Sequence, residues 1–297
     1  LDKIKDSGSK LVITVDTGSR NLEEIAYAKK IGLDCIVTDH HEVGEKLPKA
    51  PVINPKRKDS KVFSELAGVG VAFYFIRALQ PHFKGISMGQ EKWFLDLVAL
   101  GTACDVVPLV EDNRILVYWG LIVMKKRKRP GLMSLLEISA SKDIDSQVLG
   151  FRIGPRLNAS GRLEHANTSL ELLISSDKKQ ADKLALILNN FNQQRRYEQQ
   201  EILDQASQML INEDSDVIVL AHKDWSHGVV GITAAKLMER YARPTFMFQI
   251  EGGVAKGSAR SFGDFHLAKA LDSVRDLLES GGGHKYAAGI KVKATKL

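Results

Sequence analysis

The sequence predicts an α/β protein in which a parallel-sheet domain is joined by a long helix to a smaller second α/β domain. Three observations predict it. Residues 10–41 read as strand, helix, strand. A very polar helical pattern runs from about Asp177 to Asn212. A second set of alternating strands and helices follows. A strand–helix–strand unit of this length crosses over right-handed, so its two strands are parallel. A long helix exposed on most faces is the kind that bridges domains. The expected division is 1–165, 166–213 and 214–297.

Each element has its own signal. LVITV (11–15) is apolar and largely β-branched, as a parallel strand covered on both faces should be. Asn21, with Glu24 three residues on, predicts a capping box for NLEEIAYAKKIG, and Gly32 marks its end. DCIVT (34–38) is the second strand. Asp16 and Asp39 then follow at one carboxyl edge, where open α/β sheets place their ligands. KLPKAPVINPKR reads as a Pro-rich loop or edge segment. LAGVGVAFYFIRAL is a buried helix with small residues at close contacts. EKWFLDLVALGTACDVVPL is an apolar helix ending at Asp105, with Pro108 as the stop. NRILVYWGLIVMKKRKRPG is a helix finishing in five basic residues, Lys125 to Arg129. The plain reading of that run is a solvated end matched to the helix dipole. Residues 150–165, GFRIGPRLNASGRLEH, break the periodicity and carry three arginines. In the last block, DVIVLA is a strand and HGVVGITAAKLMERYARP a helix stopped by Pro244. TFMFQI and VAKGSARS pair through a turn at Glu251-Gly252-Gly253. FHLAKALDSVRDLLES is a helix, and GGGHKYAAGIKVKA a glycine loop leading into a strand.

Composition narrows the function classes. The 297 residues are 44% hydrophobic and 26% charged, enough chain and apolar mass to build cores without staples. The two cysteines, Cys35 and Cys104, sit in apolar contexts. They exclude a disulfide framework and a thiolate zinc site, and favour a reducing, cytoplasmic location. No apolar run reaches the roughly 20 residues of a membrane span, and residues 1–10 lack a signal-peptide pattern. The formal net charge of +6 favours a polyanionic partner, with a merely basic protein as the alternative.

The chemistry is carried by Asp16, Asp39, His40, His41 and Asp105, each of which directly follows an apolar element. Any one alone reads as a cap or turn residue. Together they argue otherwise: two carboxylates reach one sheet edge, and His-His at a strand end has no capping use. Carboxylates with imidazole form a mixed O/N donor set suited to Mn²⁺, with Mg²⁺ or Zn²⁺ as competitors. Two such ions about 3.5–4 Å apart are the recurrent device for phosphodiester hydrolysis. That reaction needs its barrier lowered by roughly 20 kcal/mol, which Asp and His without metal would struggle to supply.

VDTGSR, VTDHH and ALGTACDVVPL resemble, in order, the second, third and fourth motifs of the DHH phosphoesterase family. GFRIGPRLNASGRL, GVVGITAAKLMERY, GSARS and GGGHKYAAG resemble the RecJ branch of that family, and the match covers nearly the whole chain. The resemblance implies a DHH domain, a connecting helix and a DHH-associated domain. It implies hydrolysis of single-stranded DNA from 5′ to 3′ in repair and recombination, with two Mn²⁺ or Mg²⁺ ions in the complete enzyme. Repair proteins such as a single-strand-binding protein or a helicase are implied partners. By position, Asp16 resembles the carboxylate bridging the two metals, and His40 and Asp105 resemble ligands of one of them. His41 resembles the histidine facing the scissile phosphate, and Asp39 the residue orienting the histidines. Arg156, Asn158 and Arg162 fall in the motif near the bound strand. Ser258 and Arg260 match the pocket for a 5′-terminal phosphate, and Gly282, Gly283 and His284 the glycine loop.

The sequence departs from the family pattern in three places. The resemblance implies an aspartate-rich first motif upstream of Asp16 and an OB-like domain after the last strand, and neither falls within these 297 residues. The tryptophan–histidine motif reads Trp225-Ser226-His227, so its histidine is displaced by one and takes no role. The chain is accordingly expected to be a fragment of a longer enzyme, and inactive or nearly so alone. Two other readings remain open: a phosphodiesterase for oligoribonucleotides or cyclic dinucleotides, and a non-catalytic DNA-binding scaffold. The run Gly281 to Gly283 reads as an anion nest or as a plain helix cap and turn.

Overall fold

The computed structural model describes residues 1–141, 143–163, 165–211 and 215–297. By packing, the chain forms two compact units, Leu1–Leu157 with Ser169–Leu186, and Asn158–Thr168 with Ile187–Leu297. The division therefore falls within helices rather than at residue 165, and the expected boundary at 213–214 lies outside the described residues.

The first unit opens with α1 (Asp2–Asp6), β1 (Leu11–Val15), α2 (Leu22–Lys30), β2 (Asp34–Thr38) and β3 (Val52–Ile53). The three strands form a parallel sheet in the order β1-β2-β3. The Pro-rich segment thus supplies a short edge strand. Register places Val15 beside Thr38 and Thr38 beside Ile53, so the three strands end level. β1 is not covered on both faces as its sequence predicts: Leu11, Ile13 and Val15 are exposed. β2 and β3 do bury their inward residues, with Cys35, Val37 and Val52 packed on Ile25, Ala28 and Leu33. Asn21 stands at the N-cap of α2 without a side-chain cap bond. Glu23 and Glu24 in the first turn favour the helix through its dipole instead.

Helices α3 (Gly68–Leu79), α4 (Leu95–Cys104), α5 (Glu111–Lys125) and α6 (Pro130–Ile138) complete most of this unit. Leu66, Val71, Phe73, Leu95, Val98 and Leu116 join α3, α4 and α5 in one core. The helix before Asp105 is shorter than expected, because Gln90–Phe94 is a 3₁₀ turn, and Asp105 is its C-cap. The basic run lies at the end of α5 and beyond it. Lys125 to Lys128 are exposed, whereas Arg129 pairs with the buried Asp96, its Nε 3.1 Å from Oδ2. Residues 150–163 are helical, against expectation: α7 (Ser146–Val148) runs through a π turn at Leu149–Ile153 into α8 (Gly154–Leu163). A π turn adds a residue to the helical repeat, and this shifts the hydrophobic period. The chain continues with α9 (Asn167–Ile174) and the 32-residue α10 (Lys178–Met209).

The second unit holds β4 (Ile218–His222), α11 (His227–Tyr241), β5 (Thr245–Glu251), β6 (Val254–Arg260), α12 (Leu267–Ser273), β7 (Leu278–Gly283) and β8 (Ala287–Lys293). The sheet runs β4-β5-β6-β8-β7, with β4 parallel to β5 and the rest antiparallel. β5 and β6 meet through Gly252 and Gly253, both at positive φ, as the predicted hairpin turn requires. One face packs on α11 and α10 around Trp225, Leu237 and Met247, and another cluster joins α12 around Phe248 and Leu267. The helix after Phe265 is cut short at Ser273, and Gly281 to Gly283 lie in β7 paired with β8. Alternate N–H groups of an extended strand point in opposite directions, so this run is not an anion nest. No helix among the described residues is long and apolar enough to cross a membrane.

Candidate active site

At the level ends of β1 and β2 the chain places Asp16 and Asp39 next to each other. Asp16 N bonds Thr38 O at 2.9 Å, and Asp39 N bonds Ile53 O at 3.0 Å, so each aspartate is fixed by the neighbouring strand. Asp16 has φ +62°, left-handed backbone that costs a non-glycine residue about 1–3 kcal/mol and is held only where its surroundings demand it. α3 approaches with Gly68 at its start, where a Cβ would stand 2.3 Å from Asp16 Oδ1. Only glycine leaves room for that carboxylate.

His40 is the centre of the cluster. Its Nδ1–H donates to Leu66 O at 3.1 Å, which turns the Nε2 lone pair the other way. Nε2 lies 3.0 Å from Asp16 Oδ1 and 3.5 Å from Asp105 Oδ2. Neither approach has hydrogen-bond geometry, and the atom is buried. A lone pair facing two carboxylates is repulsive unless a cation stands among them. The proton is one such cation: Asp16 first, then the charges of Asp105 and Asp39, raise the His40 pKa against the effect of burial. Burial and the charge of Asp16 push Asp105 up as well, opposed by His40, His41 and Lys56. A divalent cation answers the same field with more charge, and two oxygens with an imidazole nitrogen are donors it accepts. The residues fit a metal. Potential ligand atoms of Asp16, His40 and His41 all lie within 4.8 Å of one another, and Asp105 meets this group through its 3.5 Å approach to His40 Nε2.

Asp39 has a different part. It is 2% exposed and takes four hydrogen bonds: from Ser19 N, His40 N, His41 N and His41 Nδ1. Oδ1 takes three of these bonds and Oδ2 one, so the carboxylate is turned inward and ties Ser19 to the His40–His41 turn. Burial would raise its pKa, but the bonds from His41 and Ser19 outweigh that and bring it down to about 2. The His41 ring is thereby fixed through Nδ1, while 62% of its side chain is open to solvent.

In the second unit a group of arginines forms. Arg260 Nη1 donates to Ser258 Oγ at 2.8 Å and to Ala259 O at 2.7 Å. Burial, and then the charge of Arg162, lower the Arg260 pKa. Arg162 Nη1 donates to Gly228 O at 2.9 Å, and Gly228 is required there, because a Cβ would meet Arg162 O at 2.3 Å. Arg195, on α10, is lowered by burial and then by Arg162 and Arg196, and its Nε is buried without a partner. Among the described residues none of Arg162, Arg195 and Arg260 has a carboxylate at ion-pair distance; their bonds go to Gly228, Asn192, Gln199, Ser258 and Ala259. The structure thus brings Arg162 to Ser258 and Arg260. Arg156 belongs to the first unit, where Nη1 donates to Arg152 O. Asn158 is exposed on α8. His284 is exposed at the β7–β8 turn, its Nδ1 accepting from Tyr286 N. Gly282 and Gly283 are strand residues. His227 is exposed at the first position of α11.

Sequence reasoning missed Gly68, Ser19, Asn54, whose Nδ2 donates to Ser19 Oγ and His41 O, and Arg195. The last lies in a polar helical stretch that reads as solvated surface. The other three act through contacts between segments far apart in sequence.

Residues 2–102 match the DHH family, N-terminal domain, and residues 214–297 the DHHA1 domain. The single-stranded-DNA-specific exonuclease RecJ of Bacillus subtilis is 41% identical over 98% of this chain and 37% of its own length. The Escherichia coli protein of the same name is 38% identical over 100% of this chain and 56% of its own. The chain thus spans about half the length of such relatives, or less. Two crystal structures superpose on it. RecJ of Thermus thermophilus in complex with Mn²⁺ has a TM-score of 0.88 at 34% identity, covering 99% of this chain and 44% of that one. Exonuclease RecJ bound to manganese has a TM-score of 0.84 at 33% identity, covering 99% and 74%.

Proposed function

Since this chain belongs to the DHH family, in its RecJ branch, we propose that it is the catalytic portion of a metal-dependent exonuclease that degrades single-stranded DNA from the 5′ end, in DNA repair and recombination. The observation that carries the proposal is the buried His40 Nε2, aimed between Asp16 and Asp105 with no hydrogen bond of its own. Asp16, His40 and Asp105 would hold Mn²⁺ or Mg²⁺, with Asp16 shared between two ions in the complete enzyme. The bound cations supply Lewis acidity toward a phosphoryl oxygen and acidify a water molecule. The remaining work falls to the chain. Leu66 O holds the His40 tautomer. Asp39 holds the His41 ring so that Nε2 is presented outward, toward the scissile phosphate. Arg162, Ser258 and Arg260 offer two guanidinium groups and a hydroxyl to the terminal 5′-phosphate. Single-stranded DNA is the partner this arrangement serves, and proteins that unwind or coat DNA are partners the whole enzyme would meet.

The test is Asp16→Ala, read by Mn²⁺ calorimetry on this chain and by turnover in a longer form of the protein. We expect loss of detectable Mn²⁺ binding and of cleavage, with single-strand affinity within about twofold of the parent. Turnover at saturating Mn²⁺ would reject the assignment. Comparing a long single strand with a dinucleotide separates an exonuclease from a small-substrate phosphodiesterase: the long strand should be the better substrate.

A further inference from the structure

We infer that Asn54 is a positioning residue for the metal centre, binding the turn after β2 to the turn after β1 so that His40 and His41 stay aimed. The inference rests on the metal reading above. Its starting point is the register. Val15, Thr38 and Ile53 lie side by side across the parallel sheet, so Asp16, Asp39 and Asn54 are the three residues that leave it together. Two carry carboxylates of the cluster. The third carries an amide, 4% exposed, and a buried amide is kept only where its hydrogen bonds use it.

Asn54 Nδ2 donates to Ser19 Oγ at 2.8 Å and to His41 O at 2.9 Å. Oδ1 accepts from Lys56 N at 2.8 Å. A main-chain N–H on one side fixes which end of the amide is oxygen, so both Nδ2 hydrogens face the other two strand ends. Ser19 is fully buried, and its N donates to Asp39 Oδ2 at 2.9 Å. Asn54 therefore grips the DHH turn at both ends: directly at the carbonyl of His41, and through Ser19 at Asp39, which holds the His41 ring. The loop beyond is fixed from the same side. Lys56 Nζ lies 3.0 Å from Glu42 Oε1, and Arg20 Nε donates to Glu42 O at 3.0 Å.

The chemistry selects asparagine. Alanine at 54 would leave the buried Ser19 hydroxyl and the His41 carbonyl without this donor. Aspartate would keep the shape and the Lys56 bond, but lose both donors and set a second carboxylate near Asp39. Residues that orient metal ligands cost about 10–100-fold in metal affinity or activity when removed.

Mn²⁺ titration calorimetry on this chain tests the inference, at a temperature where circular dichroism shows each variant folded. We expect the Kd of Asn54→Ala to rise about 10–100-fold, and that of Asn54→Asp at least as far. Ser19→Ala removes one of the two Nδ2 acceptors and should raise Kd by a smaller factor. Combined with Asn54→Ala, it should add less than that factor again, because the two act through one bond. A purely structural Asn54 would lower Tm and leave Kd of the folded variant within twofold of the parent; that result overturns the inference. If neither Asn54 variant folds, Asn54→Ser, which shortens the side chain and removes the reach to both acceptors, decides alone: a rise of threefold or more upholds the role and an unchanged Kd removes it. Failure of the parent chain to bind Mn²⁺ overturns the metal reading, and this inference with it.

Discussion

At the scale of single residues the two halves of the proposed reaction differ in how they are built. The metal cluster is held by hydrogen bonds that leave one nitrogen unsatisfied, His40 Nε2. The arginine cluster is held by carbonyls and a hydroxyl, with no carboxylate at ion-pair distance among the described residues. Burial lowers the proton affinity of Arg260, which means the charged form is already costly there without an anion. A terminal 5′-phosphate brings more negative charge than an internal one and two oxygens that match a guanidinium fork. Charge-assisted bonds contribute about 1.5–3 kcal/mol each. Arg260→Ala in a longer, active form of the protein should then reduce use of 5′-phosphorylated strands by roughly 10–150-fold, at about tenfold per 1.4 kcal/mol. Matched strands with a 5′-hydroxyl should be much less affected. Equal losses on both would mean that Arg260 clamps the backbone generally and does not read the end.

At the scale of elements the site depends on how closely α3 comes to the end of β1. A glycine in a helix normally costs about 1 kcal/mol relative to alanine, so Gly68→Ala should help α3 in isolation. Here the added Cβ would sit 2.3 Å from Asp16 Oδ1 and 2.8 Å from its carboxyl carbon. We expect Gly68→Ala to displace the carboxylate and weaken Mn²⁺ binding by at least tenfold, with Tm changed little or raised. An unchanged Kd would show that α3 can retreat, and that its approach does not shape the site. No local pattern in LAGVGV announces this contact; small residues there predict only close packing. What is legible in the sequence is whatever follows from period and adjacency. The β1–α2–β2 unit puts Asp16 and Asp39 on one edge, and the apolar run to Cys104 delivers Asp105 as a C-cap. Ser258 and Arg260 share a face because they stand two apart in a strand. What is not legible depends on pairing between distant segments. A two-residue strand such as β3 has too little pattern to reveal its register, so Asn54 reads as part of a turn. The π turn at Leu149–Ile153 hides a helix by shifting its period, and β7 reads as helix and loop because its glycines pair only with β8.

At the scale of the whole molecule, the proposed function leaves two routes by which a net charge of +6 would attract DNA: a diffuse field, or one group of arginines. The most basic stretch in the sequence, Lys125 to Arg129, argues for the field. Its packing argues against a dedicated contact: Arg129 is committed to Asp96, and the other four side chains are solvated at the end of α5. Arg162, Arg195 and Arg260 are fewer but partly desolvated and, among the described residues, without a carboxylate at ion-pair distance, so their interaction with phosphate is less screened by water and salt. Single-strand binding loses affinity with a log–log salt slope of about −0.7 per neutralised phosphate, so three arginines predict a contribution near −2. If the cluster is the contact, Arg195→Ala should flatten the measured slope by about 0.7 and weaken binding at every salt concentration. Replacing both Lys126 and Lys128 by alanine removes twice the charge from the solvated run and should leave the slope nearly unchanged. Fluorescence anisotropy of a labelled oligonucleotide between low and physiological salt reads both. A larger change from the lysine pair than from Arg195 would assign DNA attraction to the diffuse field, and would leave the arginine cluster without a role in holding the strand.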